Sequence, residues 1–470
     1  MRRILLVEPA YRNKYPPLGL MKISTYHKLK GDYIQFVKGF NYSFRRQKWD
    51  RIYISTLFTF FWKITLRTIN YYLNSVTSPR DIFVGGVMAT LLRDEFEKET
   101  NVRVVQGLIN QPGILNPDDR CIVDELIPDY KILDETEYEY GLKDAYLGYA
   151  TRGCPNHCDF CAVYRIEPFF EHYLPIKKQV RGIEEIYGSK QNLVLLDNNV
   201  LASEKFERII GDILDLGFYR GATLNSKMRY LDFNQGLDAR LLTPKKMTLL
   251  AKTAIRPIRI AFDFISMKDT YVSCIKLARD KGLLHLSNYI LYNYLDTPQD
   301  FYERLRINCV LNEKLGIKIY SFPMKFIPLN AKDRSYIGPN WNRKLLRGVQ
   351  CILLATRGVV GPRMEFFEAA FGSTPEEFIK IALMPEEYII QREQYKNNRA
   401  YDWKQIYQKL TINQRNHLLN ILSNKKVEES DLKGVKSTKL HRILAHYIEA
   451  ERLTKEAARR RRKTLEELKG

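Results

Sequence analysis

The chain has 470 residues, and its 75 Lys and Arg against 54 Asp and Glu give a formal net charge of +21. A hydrophobic fraction of 45% with 12% aromatic residues excludes a disordered or collagen-like protein, and the length predicts about three domains. The most apolar stretch, residues 52–66, contains Lys63 and is shorter than the roughly 20 residues that span a bilayer. The apolar run after Met1 is too short for a signal peptide. We therefore expect a soluble, cytoplasmic protein without a membrane partner.

Residues 1–115 alternate short apolar strands with helical segments. The predicted strands are residues 3–8, 33–37, 50–55, 81–86 and 101–105. Apolar, β-branched runs separated by helical patterns are typical of a parallel, doubly wound sheet of flavodoxin type. The Pro-, Gly-, Asn- and Asp-rich sequence that follows predicts a linker over residues 116–144.

A second alternation of strands and helices occupies residues 145–335. Its six predicted strands are residues 146–149, 192–197, 230–234, 258–263, 289–292 and 317–326. Their spacing of about 30 to 40 residues fits a repeated strand–helix unit. Several strands end in Asp or Asn, which is informative because parallel barrels place their chemistry at the carboxyl ends of strands.

Residues 336–470 are predicted to be mainly helical and basic. Thr374 followed by Pro375 and two acidic residues is a typical helix start. Residues 391–470 hold 20 Lys and Arg against 10 Asp and Glu, an excess of +10. The aromatic residues interleaved there are Tyr395, Tyr401, Trp403 and Tyr407. Such a tail either binds nucleic acid or forms a solvated helical face laced with ion pairs.

The strongest signal is a cluster of three of the seven cysteines. The segment reads Cys154-Pro155-Asn156-His157-Cys158-Asp159-Phe160-Cys161. In a reducing compartment such a cluster favours metal binding over disulfides. Three thiolates on a short loop can hold three irons of an iron–sulfur cube and leave the fourth iron open. Structural zinc, with His157 as a further ligand, and coincidence are the alternatives, although paired Cys-x-x-Cys knuckles are missing.

The Cys-x3-Cys-x2-Cys spacing, with Phe160 before the last cysteine, resembles the radical S-adenosylmethionine (radical SAM) enzymes. The surrounding Arg-Gly-Cys-Pro-x-x-Cys-x-Phe-Cys is similar to the branch that carries an N-terminal cobalamin-binding domain. The resemblance implies a 4Fe–4S cluster on Cys154, Cys158 and Cys161 and a partial (β/α)6 barrel of TIM type. It also implies that the open iron chelates SAM, and that one-electron reduction yields methionine and a 5′-deoxyadenosyl radical.

The resemblance implies further contacts to SAM or substrate at the polar strand ends. Asp197 and Asn198 correspond to the position that accepts from the methionine ammonium, and Asp263 to an acceptor for the ribose hydroxyls. Gln235 and Asp238 follow another strand, and their polar groups face SAM or substrate in this interpretation. The alternative for the aspartates is that they cap the helices that follow.

In the N-terminal domain, Ser55, Gly85 and Gly86 lie at predicted strand ends, where doubly wound folds bind ligands. These small residues resemble those that let the backbone approach the nucleotide tail of cobalamin. The Asp-x-His-x-x-Gly motif that supplies an axial histidine is missing from the loop at residues 8–14. The domain therefore either binds cobalamin without this histidine or is a vestigial scaffold.

The sequence thus predicts a radical SAM enzyme that abstracts a substrate hydrogen, followed by methyl transfer if cobalamin is bound. Such an enzyme needs an external one-electron reductant of flavodoxin or ferredoxin type. The alternative is a non-catalytic or electron-relaying iron–sulfur protein with a nucleic-acid-binding basic tail. The substrate and the catalytic residues are not predicted.

Overall fold

The structure is a computed structural model that describes residues 1–424 and 426–467; the end of the predicted basic tail, residues 468–470, lies outside the described residues. The chain divides into two compact units. The first unit contains residues 1–261, 273–286 and 327–336, and the second contains residues 262–272, 287–326 and 337–470. Among the described helices, none is long and apolar enough to cross a membrane.

The first unit opens with a five-stranded sheet. Its strands are β1 (Arg3–Glu8), β2 (Tyr33–Lys38), β3 (Arg51–Thr56), β4 (Ile82–Gly86) and β5 (Arg103–Val105). The helices between and beside them are α1 (Leu18–Leu29), α2 (Tyr42–Arg45), α3 (Trp62–Tyr72), α4 (Val87–Leu91) and α5 (Arg93–Thr100). All neighbouring strands are parallel, in the order β2-β1-β3-β4-β5. This is the flavodoxin-type order, so the predicted doubly wound parallel sheet is confirmed.

The sheet forms where it was predicted because its central strands β1, β3 and β4 are short, mainly apolar runs that are largely buried. Residues Ile4 to Val7 are completely buried, and Ile4 pairs with Ile34 on one side and Arg51 on the other. Helices cover both faces of such a sheet, which is why its strands read as continuous apolar segments. The carboxyl ends of β1, β3 and β4 meet at one edge.

The segment predicted as a linker, residues 116–144, is packed against the N-terminal domain of residues 1–115, which we call the first domain. Asp129 is buried, and its carboxylate accepts a hydrogen bond of 2.6 Å from the Ser24 hydroxyl. The Asp129 backbone N–H donates to the carbonyl of Met21 at 3.0 Å. These contacts tie the segment to α1.

A second parallel sheet of the first unit begins directly before the cysteines. It consists of β6 (Ala145–Gly148), β7 (Asn192–Leu195) and β10 (Leu231–Phe233), in the order β10-β7-β6. The remaining elements of this part are α6 (Val163–Ile166), α7 (Ile176–Tyr187), α8 (Phe206–Asp215), a hairpin of β8 (Thr223–Leu224) and β9 (Lys227–Met228), α9 (Pro244–Lys252) and β11 (Ile258–Arg259). Parallel bridges from Leu231 to Ile255 and from Leu237 to Ile260 continue the strand order.

The order of these strands agrees with the predicted repeat of strands and helices, but β11 is much shorter than the predicted strand over residues 258–263. Beyond Arg259 the pairing continues as the bridge at Ile260 and as single hydrogen bonds, from the Ala261 N–H to the Leu237 carbonyl and from the Phe262 N–H to the Tyr289 carbonyl, each at 3.2 Å. The elements α10 (Lys268–Asp280) and β12 (His285–Tyr292) have residues in both units. Closure of the strands into a partial (β/α)6 barrel stays a prediction.

The second unit is mainly helical, as predicted for the C-terminal region. Its elements include α11 (Pro298–Leu315), β13 (Lys318–Lys325), α12 (Arg343–Ala355), α13 (Met364–Phe371), α14 (Pro375–Leu383), α15 (Glu386–Ile390), α16 (Arg392–Tyr395), α17 (Arg399–Gln408), α18 (Ile412–Asn424), α19 (Glu429–Lys433) and α20 (Thr438–Glu467). Thr374 caps α14 as predicted, because its hydroxyl accepts from the Glu377 N–H at 3.2 Å.

The aromatic residues of the basic tail do not form an exposed row. Tyr395, Trp403 and Tyr407 are buried in the core of the second unit, and only Tyr401 is exposed. Trp403 and Tyr407 are four residues apart on α17, so they share one helix face and stack on each other. Several basic residues of the tail are paired with carboxylates, among them Arg399 with Glu449. These observations favour the solvated-face interpretation of the tail.

Candidate iron–sulfur site

The cysteine loop lies between β6 and α6, at the carboxyl end of β6. Cys154, Cys158 and Cys161 are each half-buried, and all seven cysteines of the chain are reduced. Gly153 allows the turn into the loop, because its φ is +73° and a Cβ there would lie 2.4 Å from the carbonyl oxygen of Phe169. The Cys161 N–H donates to the Cys158 carbonyl at 2.9 Å, which turns the chain between these two cysteines.

Two N–H groups are directed at the sulfur of Cys154. The Asn156 backbone nitrogen lies 3.4 Å from Cys154 Sγ, and the Asn199 side-chain nitrogen lies 3.6 Å from it. Hydrogen bonds to the sulfurs are among the factors that set the potential of an iron–sulfur cluster. Asn199 follows β7, so the end of this strand reaches the cysteine loop directly.

The three thiols of the loop are donors of the kind that an iron–sulfur cluster takes, whereas structural zinc would need a fourth ligand. Within the described residues, no three His, Cys, Asp or Glu side chains converge closely enough to hold one ion. Structural zinc needs four ligands around one point, whereas a cube binds its three thiolates through three different irons. Three thiols on one eight-residue segment, with N–H groups directed at one sulfur, fit a cube that binds each thiolate through a different iron.

Asp197, predicted as a SAM contact, is turned toward the backbone that leads into the loop. Its side chain is buried, at 1% exposure. The carboxylate accepts hydrogen bonds from the Ala150 N–H at 3.0 Å, the Thr151 hydroxyl at 2.6 Å and the Thr151 N–H. Burial raises its pKa to about 6, although these hydrogen bonds act in the opposite direction. In the structure Asp197 therefore anchors the loop.

Glu167 anchors the other side of the same turn. Its carboxylate accepts from the Gly153 N–H at 2.6 Å and from the side-chain nitrogen of Asn198 at 2.9 Å. It also forms a buried ion pair of 3.0 Å with Arg152. Asn198, another predicted SAM contact, is thus engaged with Glu167.

A row of buried charges of alternating sign runs from α1 to the cysteine loop. Lys22 pairs with Asp124 at 2.9 Å, Asp124 with Arg152 at 2.6 Å, and Arg152 with Glu167. The Arg152 guanidinium also lies 3.5 Å from the centre of the Tyr149 ring. Burial raises the pKa of Asp124, but Arg152 and Lys22 outweigh it, so that this pKa is lowered. The row connects the first domain to the backbone of the loop.

Sequence reasoning missed Arg152, Glu167 and Asn199. For two of them the sequence held a clue. Arg152 directly precedes Gly153 and Cys154, and Asn199 directly follows the predicted contacts Asp197 and Asn198. The side-chain oxygen of Asn199 is buried and has no hydrogen-bond partner among the described residues. An acceptor left open beside Cys154 is suited to a donor from a bound molecule, because unsatisfied buried polar groups are rare.

Asp238 caps a short helical turn, the alternative that the sequence left open, and also contacts the cysteine loop. Its carboxylate caps the short helical turn that follows, by accepting from the Arg240 N–H at 3.1 Å, and it pairs with the Arg240 guanidinium at 2.7 Å. It also accepts from the side-chain nitrogen of Asn156 in the cysteine loop at 3.3 Å. The thiols of Cys154 and Cys158 contribute to the raised pKa of Arg240, after the larger effect of Asp238.

The structure gives other contacts for two further predicted residues, Gln235 and Asp263. Gln235 is exposed and donates to the side chain of its neighbour Asn234 at 3.5 Å. Asp263 belongs to the second unit, where its carbonyl accepts from Arg304 at 2.6 Å. Their roles toward SAM stay predictions.

A cavity of about 340 Å³ lies in the first unit, at the carboxyl ends of β1, β3 and β4. The predicted residues Ser55, Gly85 and Gly86 line it, together with Arg152 and Glu167 from the row of charges. The volume lies in the range of sites for small ligands, so only a part of a cobalamin molecule fits inside. No histidine is among the lining residues, in agreement with the missing axial-ligand motif.

The two glycines of this cavity differ in what the fold demands of them. Gly86 has a φ of +104°, and a Cβ there would lie 2.4 Å from the Thr56 carbonyl oxygen, so the turn itself requires glycine. A Cβ on Gly85 would meet only Val105, at an ordinary 3.7 Å. Thus the turn itself requires glycine at Gly86, whereas an alanine would fit at Gly85, which lines the cavity.

No protein-family model matches the chain, and no curated protein matches it in sequence. Eight chains of solved structures are similar to it. One is the cobalamin-dependent S-adenosylmethionine radical enzyme OxsB in its apo form, with a TM-score of 0.44 and 14% identity over 66% of this chain and 52% of that chain. Another is HydG, a maturase of the FeFe-hydrogenase, with a TM-score of 0.30 and 15% identity over 63% of this chain and 61% of that chain. The aligned region thus spans less than two thirds of either neighbour.

Proposed function

We propose that this chain is a radical SAM enzyme in which Cys154, Cys158 and Cys161 hold a 4Fe–4S cluster. When bound and reduced by one electron, the cluster supplies the cleavage of SAM to methionine and a 5′-deoxyadenosyl radical that abstracts a substrate hydrogen. The observation that carries the proposal is the Cys-x3-Cys-x2-Cys loop at the end of a parallel strand, with N–H groups of Asn156 and Asn199 directed at Cys154.

The surrounding residues fix the loop before any cofactor arrives. Asp197 and Glu167 together accept the backbone N–H groups of Ala150, Thr151 and Gly153. Carboxylates that accept N–H groups in a buried environment hold a segment in one conformation, because each unsatisfied partner would be costly. The thiols are thereby presented from a segment whose preceding residues are rigidly held.

For SAM itself we assign the methionine ammonium to the open side-chain oxygen of Asn199. Asn198 was the predicted contact, but its amide donates to Glu167. Asp238 lies against the loop through Asn156 and is the next candidate, whereas Gln235 and Asp263 enter the proposal only as further contacts to SAM or substrate. An external reductant of flavodoxin or ferredoxin type and a cytoplasmic location complete the proposal.

Cobalamin belongs to the proposal as a second cofactor, with methyl transfer as the reaction that it would add. Ser55 and Gly85 would lie against it at the carboxyl ends of β3 and β4. The cavity holds only a part of the molecule, and the nucleotide tail is the part that the small residues suit.

The proposal is tested by anaerobic reconstitution with iron and sulfide, followed by dithionite and SAM. We expect release of 5′-deoxyadenosine, measured by mass spectrometry, and its loss in the variants C154A, C158A and C161A. The matched control is C121A, because Cys121 is also half-buried but lies outside the loop. Cluster loading without 5′-deoxyadenosine would favour the electron-relaying alternative. Failure of the wild-type chain to load iron and sulfide would contradict both.

A further inference from the structure

A surface of the first domain combines unpaired cations with exposed aromatic rings. Residues 38–72 contain seven Lys and Arg but only one acidic residue, Asp50. The loop after β2, the short helix α2 and the helix α3 all belong to this segment. This composition differs from the C-terminal tail, where acidic residues dilute the positive charge and most aromatic rings are buried. We call the face formed by α2, α3 and the loop before α2 the α2–α3 surface.

Four side chains of the α2–α3 surface form one continuous row. The Arg45 guanidinium carbon lies 4.7 Å from the centre of the Tyr71 ring, and that ring lies 4.7 Å from the ring of Phe40. The Arg67 guanidinium carbon lies 5.8 Å from the Phe40 ring. Beside this row, Arg46 lies 5.6 Å from the ring of Tyr42. The guanidinium groups are thus ordered by rings, not by acids.

The cations of this surface lack acidic partners within the part of the chain that the structure describes. The exposed cations concerned are Arg45, Arg46, Lys63 and Arg67. None of them pairs with a carboxylate, although exposed cations elsewhere in the same domain do, as Arg93 does with Glu97. The rings are also accessible, because Phe40 is 44% exposed and Tyr42 is 65% exposed.

We infer that the α2–α3 surface binds single-stranded nucleic acid. Unpaired Arg and Lys side chains attract phosphates, and exposed rings stack on unpaired bases irrespective of sequence. A duplex offers phosphates to the cations but no unpaired bases to the rings, because its bases already stack on each other. An anionic membrane would also use the charge, but a membrane-bound face carries a broad apolar stripe, whereas here guanidinium groups flank the rings.

The inference is independent of the proposed chemistry, because the α2–α3 surface contains none of the residues assigned to the cluster or to SAM. It also differs from the predicted binding by the C-terminal tail. Failure of the binding experiment would leave the release of 5′-deoxyadenosine untouched, and the converse holds as well.

The test is the binding of a fluorescein-labelled oligouridylate to the full-length protein, followed by anisotropy over a series of salt concentrations. We expect the variant F40A/Y42A to lose about tenfold or more in affinity, with the salt dependence unchanged, because base stacking is lost. The variant R45A/R67A should also bind more weakly. In a plot of the logarithm of the association constant against the logarithm of the salt concentration, its negative slope should become shallower by about 1.4, or 0.7 for each lost phosphate contact. The matched control K252A/K276A removes two exposed helical lysines and should bind as the wild type does.

Three outcomes would overturn the inference. One is that the wild-type chain does not bind the oligouridylate at low salt. Another is that K252A/K276A loses as much affinity as R45A/R67A, since binding would then follow net charge alone. The third is that the protein prefers a DNA duplex, or vesicles of phosphatidylcholine and phosphatidylserine, over the oligouridylate. Thermal unfolding of each variant checks its folding, and Y42A alone gives a second test because Tyr42 is the most exposed ring of the surface.

Discussion

The hydroxyl of Thr151 donates a hydrogen bond of 2.6 Å to the buried carboxylate of Asp197. This bond joins the end of β7 to the segment that begins three residues before Cys154. The same carboxylate accepts the N–H groups of Ala150 and Thr151. The position of the first cysteine is therefore determined by a side chain from the neighbouring strand.

The first prediction concerns the pH dependence that Asp197 gives to stability. Burial raises its pKa from 3.8 to about 6, so between these values the folded chain holds a proton that the unfolded chain has released. The favourable contribution is complete below about pH 4 and is lost as the pH rises to about 6, a change on the order of 3 kcal/mol. His27 titrates in the same range with the opposite effect on stability, because burial lowers its pKa to about 4. The prediction therefore concerns a difference: in urea unfolding of the cluster-free protein from pH 4 to pH 7, the free energy of unfolding of the wild type should fall by this amount relative to that of D197N.

The control for Asp197 is D280N, which changes an exposed aspartate at the end of α10. It should keep the pH dependence of the wild type. If D197N also kept it, the carboxylate would not be the group that titrates, and its assignment as a buried anchor with a raised pKa would be wrong.

The second prediction is that Glu167 is needed to hold the loop in a cluster-binding conformation. The Gly153 N–H and the Asn198 amide donate to one oxygen of the Glu167 carboxylate, and Arg152 contacts the other oxygen. In E167Q, the new NH2 group therefore faces either the Arg152 guanidinium or both of these N–H donors, which then lose their acceptor. Removing one partner from such a buried network costs about 2 to 4 kcal/mol. We expect a lower urea midpoint and less iron per chain after reconstitution. E171Q, an exposed change in the same segment, should behave as the wild type; equal iron content in both variants would contradict the anchoring role.

The sequence was sufficient to predict the first sheet and the cysteine loop, for a physical reason. The central strands of that sheet are built around apolar runs, and residues Ile4 to Val7 are completely buried in a strand covered on both faces. The loop is visible because three thiols at short spacing are rare without a ligand. Both signals are local, so neither requires knowledge of distant contacts.

The contacts around the loop are not local, and the sequence did not reveal them. Arg152 and Glu167 are separated by an irregular segment and a short helix, and nothing in their spacing predicts an ion pair. At the end of β7, the choice between Asn198 and Asn199 depends on which way each side chain points after the strand ends. In the tail, by contrast, the four-residue spacing of Trp403 and Tyr407 did contain the information that both rings share a buried face.

The third prediction separates the two functions assigned to the Asn199 amide. N199A removes both the N–H directed at Cys154 and the open oxygen, so the cluster should be reduced at a more negative potential and the KM for SAM should rise about tenfold or more. N199D keeps an acceptor for an ammonium group but lacks the N–H, so it should change the potential while retaining affinity for SAM. Redox titration followed by electron paramagnetic resonance gives the potential, and the rate of 5′-deoxyadenosine release gives KM. An unchanged KM in N199A would refute the assignment to the methionine ammonium.

The last prediction uses the two neighbouring glycines to decide whether the first domain binds cobalamin. G86A should destabilise the fold by about 2 kcal/mol or more whatever the ligand, because its backbone is in the left-handed region and its Cβ would collide with the Thr56 carbonyl. G85A should leave the urea midpoint nearly unchanged, since its Cβ would meet Val105 at an ordinary distance. If cobalamin approaches the backbone here, G85A purified from cobalamin-supplemented cells should carry less cobalamin per chain than the wild type, as measured by absorbance. Equal cobalamin per chain in G85A and in the wild type would show that the cofactor does not approach Gly85. If the wild-type protein carries no cobalamin at all, Ser55, Gly85 and Gly86 have a structural role alone.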